Sequence, residues 1–492
     1  MTKTLTTLLL VAGVLSGCTL APVYERPAPP VATNYPAAPE GYAAAEVKTG
    51  EARRASEIGW REFFRDPRLQ VLIATSLENN RDLRTAALRI EEARALYQVQ
   101  RADLLPTVNA TGGFNRSRTP ALQSATGKPF VSQYFQAGAG VTSFELDFFG
   151  RVRSLSNAAL SQYFATEEAR RSAQISLVSE VAQAYLSERS FAEQYELAQN
   201  TLKTRDYTLS LSKQRFDAGA TSALDLRDNE SLVAQARVSA AQLARQRAQA
   251  QNALEVLVGK PLGTIENLPE AMRLSDERII SDIPAGLPSD LLEQRPDIRQ
   301  AEQLLLSANA NIGAARAAFF PRITLTANAG AISPTFSSLF DSGTGAWSFA
   351  PQLVLPIFDY GRNLSNLDLS NVRKNIQIAN YEKTIQTAFA EVADALVARG
   401  TLEEQVTSQQ QVRDAEFARY ELSTMRFRNG VASQLDQLDS QRQLFAADQA
   451  LIQARQLRLN NAIDLYRSLG GGLTETGPVA QGNGVKPAVS TQ

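Results

Sequence analysis

Two very long stretches, 151–218 and 362–429, contain no proline, and Gly400 is the one glycine in either of them. Each would span roughly 100 Å if it were fully helical, whereas an average helix has about 11–12 residues. The stretches 222–258 and 433–469 that follow also lack glycine and proline. Apolar residues recur at i, i+3, i+4 and i+7, which is typical of amphipathic, coiled-coil-like helices; they are Val178, Val181, Ala182 and Tyr185, and again Phe389, Val392, Ala393 and Leu396. Helices of this length indicate a structure that spans a gap rather than a compact globule.

The chain is internally duplicated. The run 215–219, Arg-Phe-Asp-Ala-Gly, recurs as Arg-Phe-Arg-Asn-Gly at 426–430, an offset of 211 residues, and the Gly-Arg pair at 150–151 recurs with the same offset at 361–362. Upstream the offset is 215, as for Pro106 and Pro321. Duplication at a fixed period predicts one structural unit used twice. The predicted organisation is a signal peptide (1–17), a lipidated Pro-rich tether (18–58), a first repeat (59–260), a linker (261–284), a second repeat (285–472) and a flexible C-terminal tail (473–492).

Each repeat also predicts two strands between its helices, near 107–114 and 133–146 and near 322–331 and 346–355. A proline precedes the first strand of each pair, and a loop rich in Gly, Ser and Thr separates the two strands. In 322–331 apolar residues alternate with small polar ones, a period of two that is typical of a strand with two different faces. The pattern fits a membrane strand or an ordinary half-buried hairpin, and the residues leave both interpretations open.

Four strands cannot close a membrane barrel, which needs at least eight. Two chains would give an eight-stranded barrel that its own side chains fill, whereas three chains would give twelve strands and an open lumen. Long helices that emerge from these strands would continue the wall of such a barrel, so the residues suggest a tube that is β at one end and α for most of its length.

The N-terminus has the features of a bacterial lipoprotein signal. Lys3 precedes the apolar stretch 5–14, and Leu-Ser-Gly-Cys at 15–18 resembles a lipobox. The chain's one cysteine, Cys18, is thus predicted to be acylated after cleavage, and Thr19 behind it resembles outer-membrane sorting. Acyl chains anchor a protein but do not span the membrane. Six prolines between 19 and 40 predict an extended tether with little helix.

Composition excludes several classes of protein. Lys and Arg (50) nearly balance Asp and Glu (51), which argues against a nucleic-acid binder. The chain has no His, and its single Cys excludes disulfides and thiolate metal clusters. No phosphate-binding loop or nucleophile elbow is present either, so we expect neither an enzyme, nor a cofactor, nor a metal site.

The duplicated strand–strand–long-helix unit resembles the TolC family of outer-membrane efflux channels, and in particular its OprM-type lipoprotein branch. The resemblance covers nearly all of 55–472 and is carried by GWREFFRDP (59–67), ELDFFGR (145–151), GLPSDLLEQRPDI (286–298), IGAARAAFFP (312–321) and TAFAEVADALVARGT (387–401). It implies the fold class of a mixed membrane β-barrel and long α-helical barrel, in which a trimer closes a twelve-stranded barrel that continues as a periplasmic α-helical tunnel. It also implies a homotrimer in the outer membrane, partnered with a periplasmic adaptor (membrane fusion) protein and an inner-membrane RND-type pump, that exports drugs or other toxic compounds. The alternative is a lipid-anchored periplasmic helical spacer or adaptor protein.

The turns that follow the long helices, 217–222 and 428–433, are the predicted periplasmic tip. Gly219 and Gly430 fit left-handed turn positions. The resemblance implies that Leu435, Asp436, Asp439 and Arg442 form the pore constriction and selectivity filter, and that Asp225 and Arg428 make tip helix contacts. For the three aspartates the alternative is a charge that complements the start of a helix. Ala432 stands where the family has a tip arginine, so that salt link is absent, and Arg428 and Arg442 are the candidates to replace it.

Overall fold

A computed structural model describes residues 19–36, 53–276, 279–280, 283–284 and 288–476. The predicted signal peptide and the predicted acylation site, Cys18, lie outside the described residues. No described helix is both long and apolar enough to cross a membrane.

Nine helices and four strands follow one another along the described residues. In chain order they are α1 (Trp60–Phe63), α2 (Pro67–Asn79), α3 (Arg81–Ala102), β1 (Val108–Thr119), β2 (Phe130–Glu145), α4 (Arg151–Asp217), α5 (Ala223–Val258), α6 (Leu291–Gln294), α7 (Pro296–Ala317), β3 (Arg322–Ser333), β4 (Gly345–Val354), α8 (Arg362–Arg428) and α9 (Gln434–Ser468). The order helix, hairpin, long helix, return helix thus occurs twice. Short 3-10 turns lie at Ala55–Glu57, Ala121–Gln123, Leu262–Thr264, Pro288–Asp290 and Phe336–Ser338.

The two predicted long helices are confirmed: α4 and α8 each have 67 residues. Gly400 does not interrupt α8, since one helical glycine costs only about 1 kcal/mol relative to alanine. The helical run before the first hairpin is divided at Asn80, where α2 ends and α3 begins. Asn80 is extended there, and its side-chain oxygen accepts hydrogen bonds from the amides of Asp82 and Leu83. This side chain therefore caps a new helix directly after the end of α2.

The four strands form one antiparallel sheet in the order β1-β2-β3-β4. β2 also pairs with β3, so the two predicted hairpins join, with a bulge in β2 between Val141 and Phe144. The register and the alternation of side chains along a strand separate two faces. The apolar face includes Val108, Phe114, Phe135, Val141, Ile323, Leu325, Trp347, Phe349 and Leu353, and the polar face includes Asn109, Thr111, Asn115, Gln136, Thr324, Thr326, Asn328, Ser348 and Gln352. Because aromatic and aliphatic side chains on the apolar face are solvent-exposed in the chain, this is not the inner side of an ordinary half-buried hairpin.

The chain divides into two compact units. The first contains the described residues up to Ala28, Leu88–Glu167 and Gln300–Glu382, and hence the sheet. The second contains residues from Pro29 to Ala87, Glu168–Arg299 and the described residues from Lys383 onward.

The apolar core of the second unit is built around aromatic rings. Phe63 stacks on Tyr466 with ring centroids 3.9 Å apart, and the Tyr466 hydroxyl donates to the carbonyl of Ile58 at 2.6 Å. The buried Tyr185 hydroxyl donates to Asp66, whose other carboxylate oxygen accepts from backbone amides at the start of α2. The hydroxyls of Tyr466 and Tyr185 and the carboxylate of Asp66 thus each have a hydrogen-bond partner.

The duplication is visible in one recurring hydrogen bond of the second unit. The Asn80 side-chain amide donates to the carbonyl of Leu257 at 2.9 Å, and in the second repeat Arg295 donates to the carbonyl of Ser468 at 3.0 Å. The C-terminal ends of the two return helices, α5 and α9, thus each accept a side-chain hydrogen bond, from an asparagine in the first repeat and from an arginine in the second. Arg295 is nearly buried, and its charge is balanced by Asp297 at 2.6 Å and Glu391 at 2.7 Å.

The segment 19–28, predicted to be extended with little helix, has defined contacts in the structure. It is non-helical, as predicted, but it lies along α7 within the first unit. The Arg26 guanidinium donates two hydrogen bonds, of 2.7 and 2.9 Å, to the nearly buried Glu302, which also accepts from the Tyr24 hydroxyl. Composition predicts the extended backbone correctly, but it does not show that a bidentate, charge-assisted pair holds that backbone in place.

Candidate gating site at the helical turns

The two turns that join the long helices to their return helices have the same backbone structure. Gly219 has φ +71° and Gly430 has φ +70°, which confirms the left-handed turn positions predicted for them. Ala220 donates to the carbonyl of Arg215, and Val431 donates to that of Arg426, at 2.7 and 2.9 Å. These bonds are those of a Schellman motif, which satisfies the last carbonyls of a helix. A Cβ at either glycine would meet no other atom within 4 Å, so φ and not space demands glycine.

The return helices start at matched capping boxes. Ser222 accepts from the amide of Asp225, whose carboxylate accepts from the amide and hydroxyl of Ser222, and Ser433 and Asp436 repeat the arrangement. The helix-start role of Asp225 and Asp436, which the sequence left as an alternative, is therefore confirmed. Hydrogen bonds from the hydroxyls of Ser222 and Thr221 hold the pKa of Asp225 below its usual range.

Asp439 has a different environment from Asp436, although the two are three residues apart on α9. Its carboxylate accepts from Arg419 of α8 at 2.9 Å and from Arg442 of α9 at 2.5 Å. Arg442, predicted to hold a neighbouring helix, thus pairs within its own helix, and Arg419 makes the link between helices. The sequence interpretation missed Arg419. The sequence nevertheless offers a way to find this pair. Arg419 and Asp439 lie at similar distances before and after Gly430, which places them opposite each other in an antiparallel helix pair.

The remaining predicted tip residues are at the surface of the chain. Leu435 is 69 % exposed, and Leu224, at the equivalent position of the first repeat, is 70 % exposed. Arg428 is the last residue of α8, is exposed, and forms no ion pair among the described residues. Within the part of the chain that the structure describes, the ion-pair partner of Arg442 is Asp439 on the same helix.

A buried arginine on α4 is a second feature that the sequence interpretation missed. Arg205 is 7 % exposed, donates to the carbonyl of Leu232 on α5 at 3.0 Å, and has no partner for its Nε. Burial lowers its pKa, and the neighbouring positive charge of Arg442 lowers it further. Its signal was its place on the long helix close to the turn, but nothing in the local sequence marks it as buried.

Taken together, the described turns contain exposed leucines, two capped aspartates and a cluster of charges centred on Asp439. No group of His, Cys, Asp and Glu among the described residues is arranged to hold a metal ion. The contacts at the turns are ion pairs and hydrogen bonds between exposed side chains, which are individually weak.

Comparison with known proteins identifies one family. The sequence matches the family described as outer membrane efflux protein in two segments, 72–260 and 287–471. It is 48 % identical over 475 residues to the probable efflux pump outer membrane protein TtgC of Pseudomonas putida, covering 96 % of this chain and 97 % of that one. It is 44 % identical over 470 residues to outer membrane protein OprJ of Pseudomonas aeruginosa, covering 95 % of each chain.

Solved structures agree with the sequence matches. A membrane protein from Pseudomonas aeruginosa superposes with a TM-score of 0.85 at 44 % identity, covering 92 % of this chain and all of that one. The open state of the Neisseria gonorrhoeae MtrE outer membrane channel gives 0.84 at 41 % identity, covering 94 % of this chain and all of that one. These likenesses confirm the predicted fold class, a membrane β-barrel to which each of three chains gives four strands, joined to a long α-helical barrel.

Proposed function

Because this chain belongs to the outer membrane efflux protein family and is the outer-membrane channel of a tripartite efflux pump, we propose that it exports toxic apolar small molecules, including solvents and antibiotics. Relatives at 48 % identity are called a toluene efflux pump protein and an antibiotic efflux pump protein, both from Pseudomonas putida. A channel of this family is a transport protein and not an enzyme. The alternative of a lipid-anchored helical spacer or adaptor does not account for a four-stranded sheet with one exposed apolar face.

The proposed assembly is a homotrimer that works with a periplasmic adaptor protein and an inner-membrane RND-type pump. The observation that supports it best is the sheet itself, whose four strands are too few to close a barrel in one chain. The exposed leucine at the first turn, Leu224, is an apolar contact suited to a partner at the helical end.

The decisive experiment is complementation. A strain that lacks its own efflux channel receives an adaptor and an RND-type pump from the organism that makes this chain, with or without the channel. We expect the channel to raise the tolerated concentration of toluene and of apolar antibiotics several-fold and to lower intracellular accumulation of a fluorescent pump substrate. If heat-resistant trimers are present in the outer membrane but tolerance and accumulation stay unchanged, the proposed export function is wrong.

The residues that follow the proposed acylation site, Cys18, support an anchor close to the sheet. The next residues lie on α7: Arg316 donates to the carbonyl of Leu20 at 3.2 Å, and Asn309 donates to that of Pro22 at 2.8 Å. Because α7 ends at Ala317 and β3 begins at Arg322, Leu20 lies at the end of α7 that leads into the sheet. Acyl chains on Cys18 would then enter the outer membrane beside the barrel rather than on a long tether.

For the gate, we propose that Leu435, Asp436, Asp439 and Arg442 line the narrowest part of the channel, with Asp225 and Arg428 beside it. In a trimer the aspartates repeat three times around one axis, and such a ring favours cations. The link between Asp439 and Arg419 would hold α9 against α8 when the channel is at rest. An apolar side chain at position 435, exposed in the single chain, is suited to narrow the pore where three copies meet.

A further inference from the structure

Two arginines follow the apolar residues on one face of β1, close to its C-terminal end. Arg116 and Arg118 lie two and four residues after Phe114, so their side chains share its face of the strand. On β2, Gln133 lies opposite Arg116 and Val131 lies opposite Arg118. Both arginines are exposed, and neither forms an ion pair among the described residues. They are therefore two unneutralised charges on the face that a membrane barrel turns toward lipid.

The lipid-facing surface becomes polar at the same height on three neighbouring strands. Phe114 lies opposite Phe135, and Phe135 lies opposite Ser333 of β3. On the helical side of this row the β3 positions of the same face are all apolar, namely Ile323, Leu325, Ala327, Ala329 and Ala331. Phe135 contacts the rings of Phe114 and Phe336, with centroids 4.6 and 5.6 Å apart. Aromatic side chains are typical of the border of the apolar band, so the two arginines lie at the level of lipid headgroups.

This border belongs to the outer leaflet of the membrane. The helices join the sheet at its other end, since β1 follows α3 and β2 leads into α4. Because the long helices form the periplasmic part of the channel, the loops 120–129 and 334–344 lie on the side of the cell surface. The outer leaflet of an outer membrane consists mainly of lipopolysaccharide, whose lipid A part carries phosphate groups directly above its acyl chains.

We propose that Arg116 and Arg118 bind a phosphate group of lipid A, which gives one lipopolysaccharide site on each chain of the trimer. Side chains two residues apart on one strand face are about 7 Å apart at the backbone, so two long guanidinium side chains converge on one phosphate. Arginine suits this ligand because its planar fork donates two parallel hydrogen bonds to phosphate oxygens. The inference rests on the outer-membrane barrel and is independent of the compounds that the channel exports.

The charge of the two hairpins supports an anionic partner from the membrane. Residues 106–144 contain Arg116, Arg118 and Lys128 but no Asp or Glu, and Asp341 is the one acidic residue in 323–358. An arginine on the lipid face is costly at the centre of the bilayer and is tolerated near the headgroups. The first hairpin itself thus offers these arginines no counter-charge, whereas a phosphorylated headgroup does.

Arg322 shows how the same sheet treats an arginine on its other face. Arg322 lies two residues before Thr324, on the polar face, and pairs with Glu145 at 2.7 Å. Its charge is therefore balanced by the protein. The charges of Arg116 and Arg118, on the opposite face, are left for a ligand outside the chain.

The duplication indicates that the strand itself does not need these two arginines. With the offset of 215 between β1 and β3, Ala331 and Ser333 stand at the positions equivalent to Arg116 and Arg118. Small uncharged side chains thus suffice at the same places in the other hairpin. A trimer would therefore have three such sites and not six.

Native mass spectrometry of purified trimers tests the proposal by counting bound lipid. The probe is lipid A with two phosphates, and the comparison lipids are enzymatically dephosphorylated lipid A and phosphatidylglycerol. We expect up to three lipid A molecules on the unsubstituted trimer, and at least fivefold weaker binding of either comparison lipid. Arg116→Gln combined with Arg118→Gln should weaken binding of lipid A at least fivefold. Arg362→Gln is the control, because Arg362 is exposed at the helical end of the sheet; it should bind lipid A as the unsubstituted trimer does.

Three results would overturn the proposal. One is equal binding of lipid A by the double variant and the unsubstituted trimer, and another is equal binding of phosphorylated and dephosphorylated lipid A. The third is equal binding of phosphatidylglycerol, which would assign the arginines to phospholipid. If the double variant forms no trimers, the comparison of lipids on the unsubstituted trimer still decides. Export plays no part in this measurement, so its failure leaves the proposed function untouched.

Discussion

Removal of the Asp439 carboxylate is the sharpest test of the proposal that an ion pair between α8 and α9 keeps the channel closed at rest. Asp439→Ala deletes the contact with Arg419 on α8 and the contact with Arg442 on its own helix. Only the first joins two helices, and the capping box at Ser433 does not involve Asp439. The variant therefore loosens the α8–α9 pair while the start of α9 stays intact.

The expected magnitude is modest. Asp439 is 32 % exposed, Arg419 48 % and Arg442 61 %, so water screens both ion pairs. Exposed pairs contribute about 0.2–1 kcal/mol each. A loss of about 0.5–1 kcal/mol at the contact between helices corresponds to a two- to fivefold shift in the equilibrium between a closed and an opened helix pair.

Single-channel recording in planar bilayers measures that shift. We expect the Asp439→Ala trimer to occupy its conducting state two- to fivefold longer at 0.1 M salt, and the difference from the unsubstituted channel to shrink at 1 M salt, where ion pairs are screened within about 3 Å. The matched control is Glu416→Ala, which removes the partner of Arg419 within α8 but leaves the link to Asp439. A control that opens the channel as much as Asp439→Ala would refute the reasoning.

The same recordings test the proposed selectivity. Asp436→Ala combined with Asp439→Ala should lower cation preference, read as a smaller reversal potential in a salt gradient, and Leu435→Ala should raise resting conductance. If the double variant keeps its cation preference, the filter lies elsewhere, and Asp436 serves the helix start alone.

Two further predictions concern the turn and the anchor. Gly430→Val forces a β-branched residue into φ +70°, at a cost of about 1–3 kcal/mol, so it should impair efflux while trimer yield is kept. The control is Gly263→Val, at a glycine with open space around it and no positive φ. Equal export by both variants would contradict the argument. Cys18→Ser behind an ordinary signal peptide should still give outer-membrane trimers, because the sheet supplies the main attachment to the membrane. Adding Arg26→Ala should leave the trimer yield unchanged but expose the first residues of the mature chain to protease. Recovery of Cys18→Ser as soluble periplasmic protein would contradict this prediction.

The duplication and the long helices could be predicted from sequence because they depend on local, repeated signals. The two long stretches contain no proline to break a helix and carry an apolar stripe at helical spacing, and the Arg-Phe-x-x-Gly runs mark the helix ends, where φ must become positive. Strand alternation likewise follows from the pleat, since side chains on one strand alternate between two faces. Family resemblance then supplied the assembly that composition and periodicity leave open.

Which distant residues form ion pairs and hydrogen bonds with each other was decided by the tertiary structure. The sequence places Asp436 and Asp439 on one helix face, yet Asp436 turns back to Ser433 whereas Asp439 reaches Arg419, because only the second aspartate faces α8. In the same way, the prolines before residue 40 predict an extended segment, but its position is set by the pairing of Arg26 with Glu302, hundreds of residues away. Local propensity determines which backbone a segment adopts, whereas the partner of a charged side chain is determined by which helices pack together, and that is a property of the whole chain.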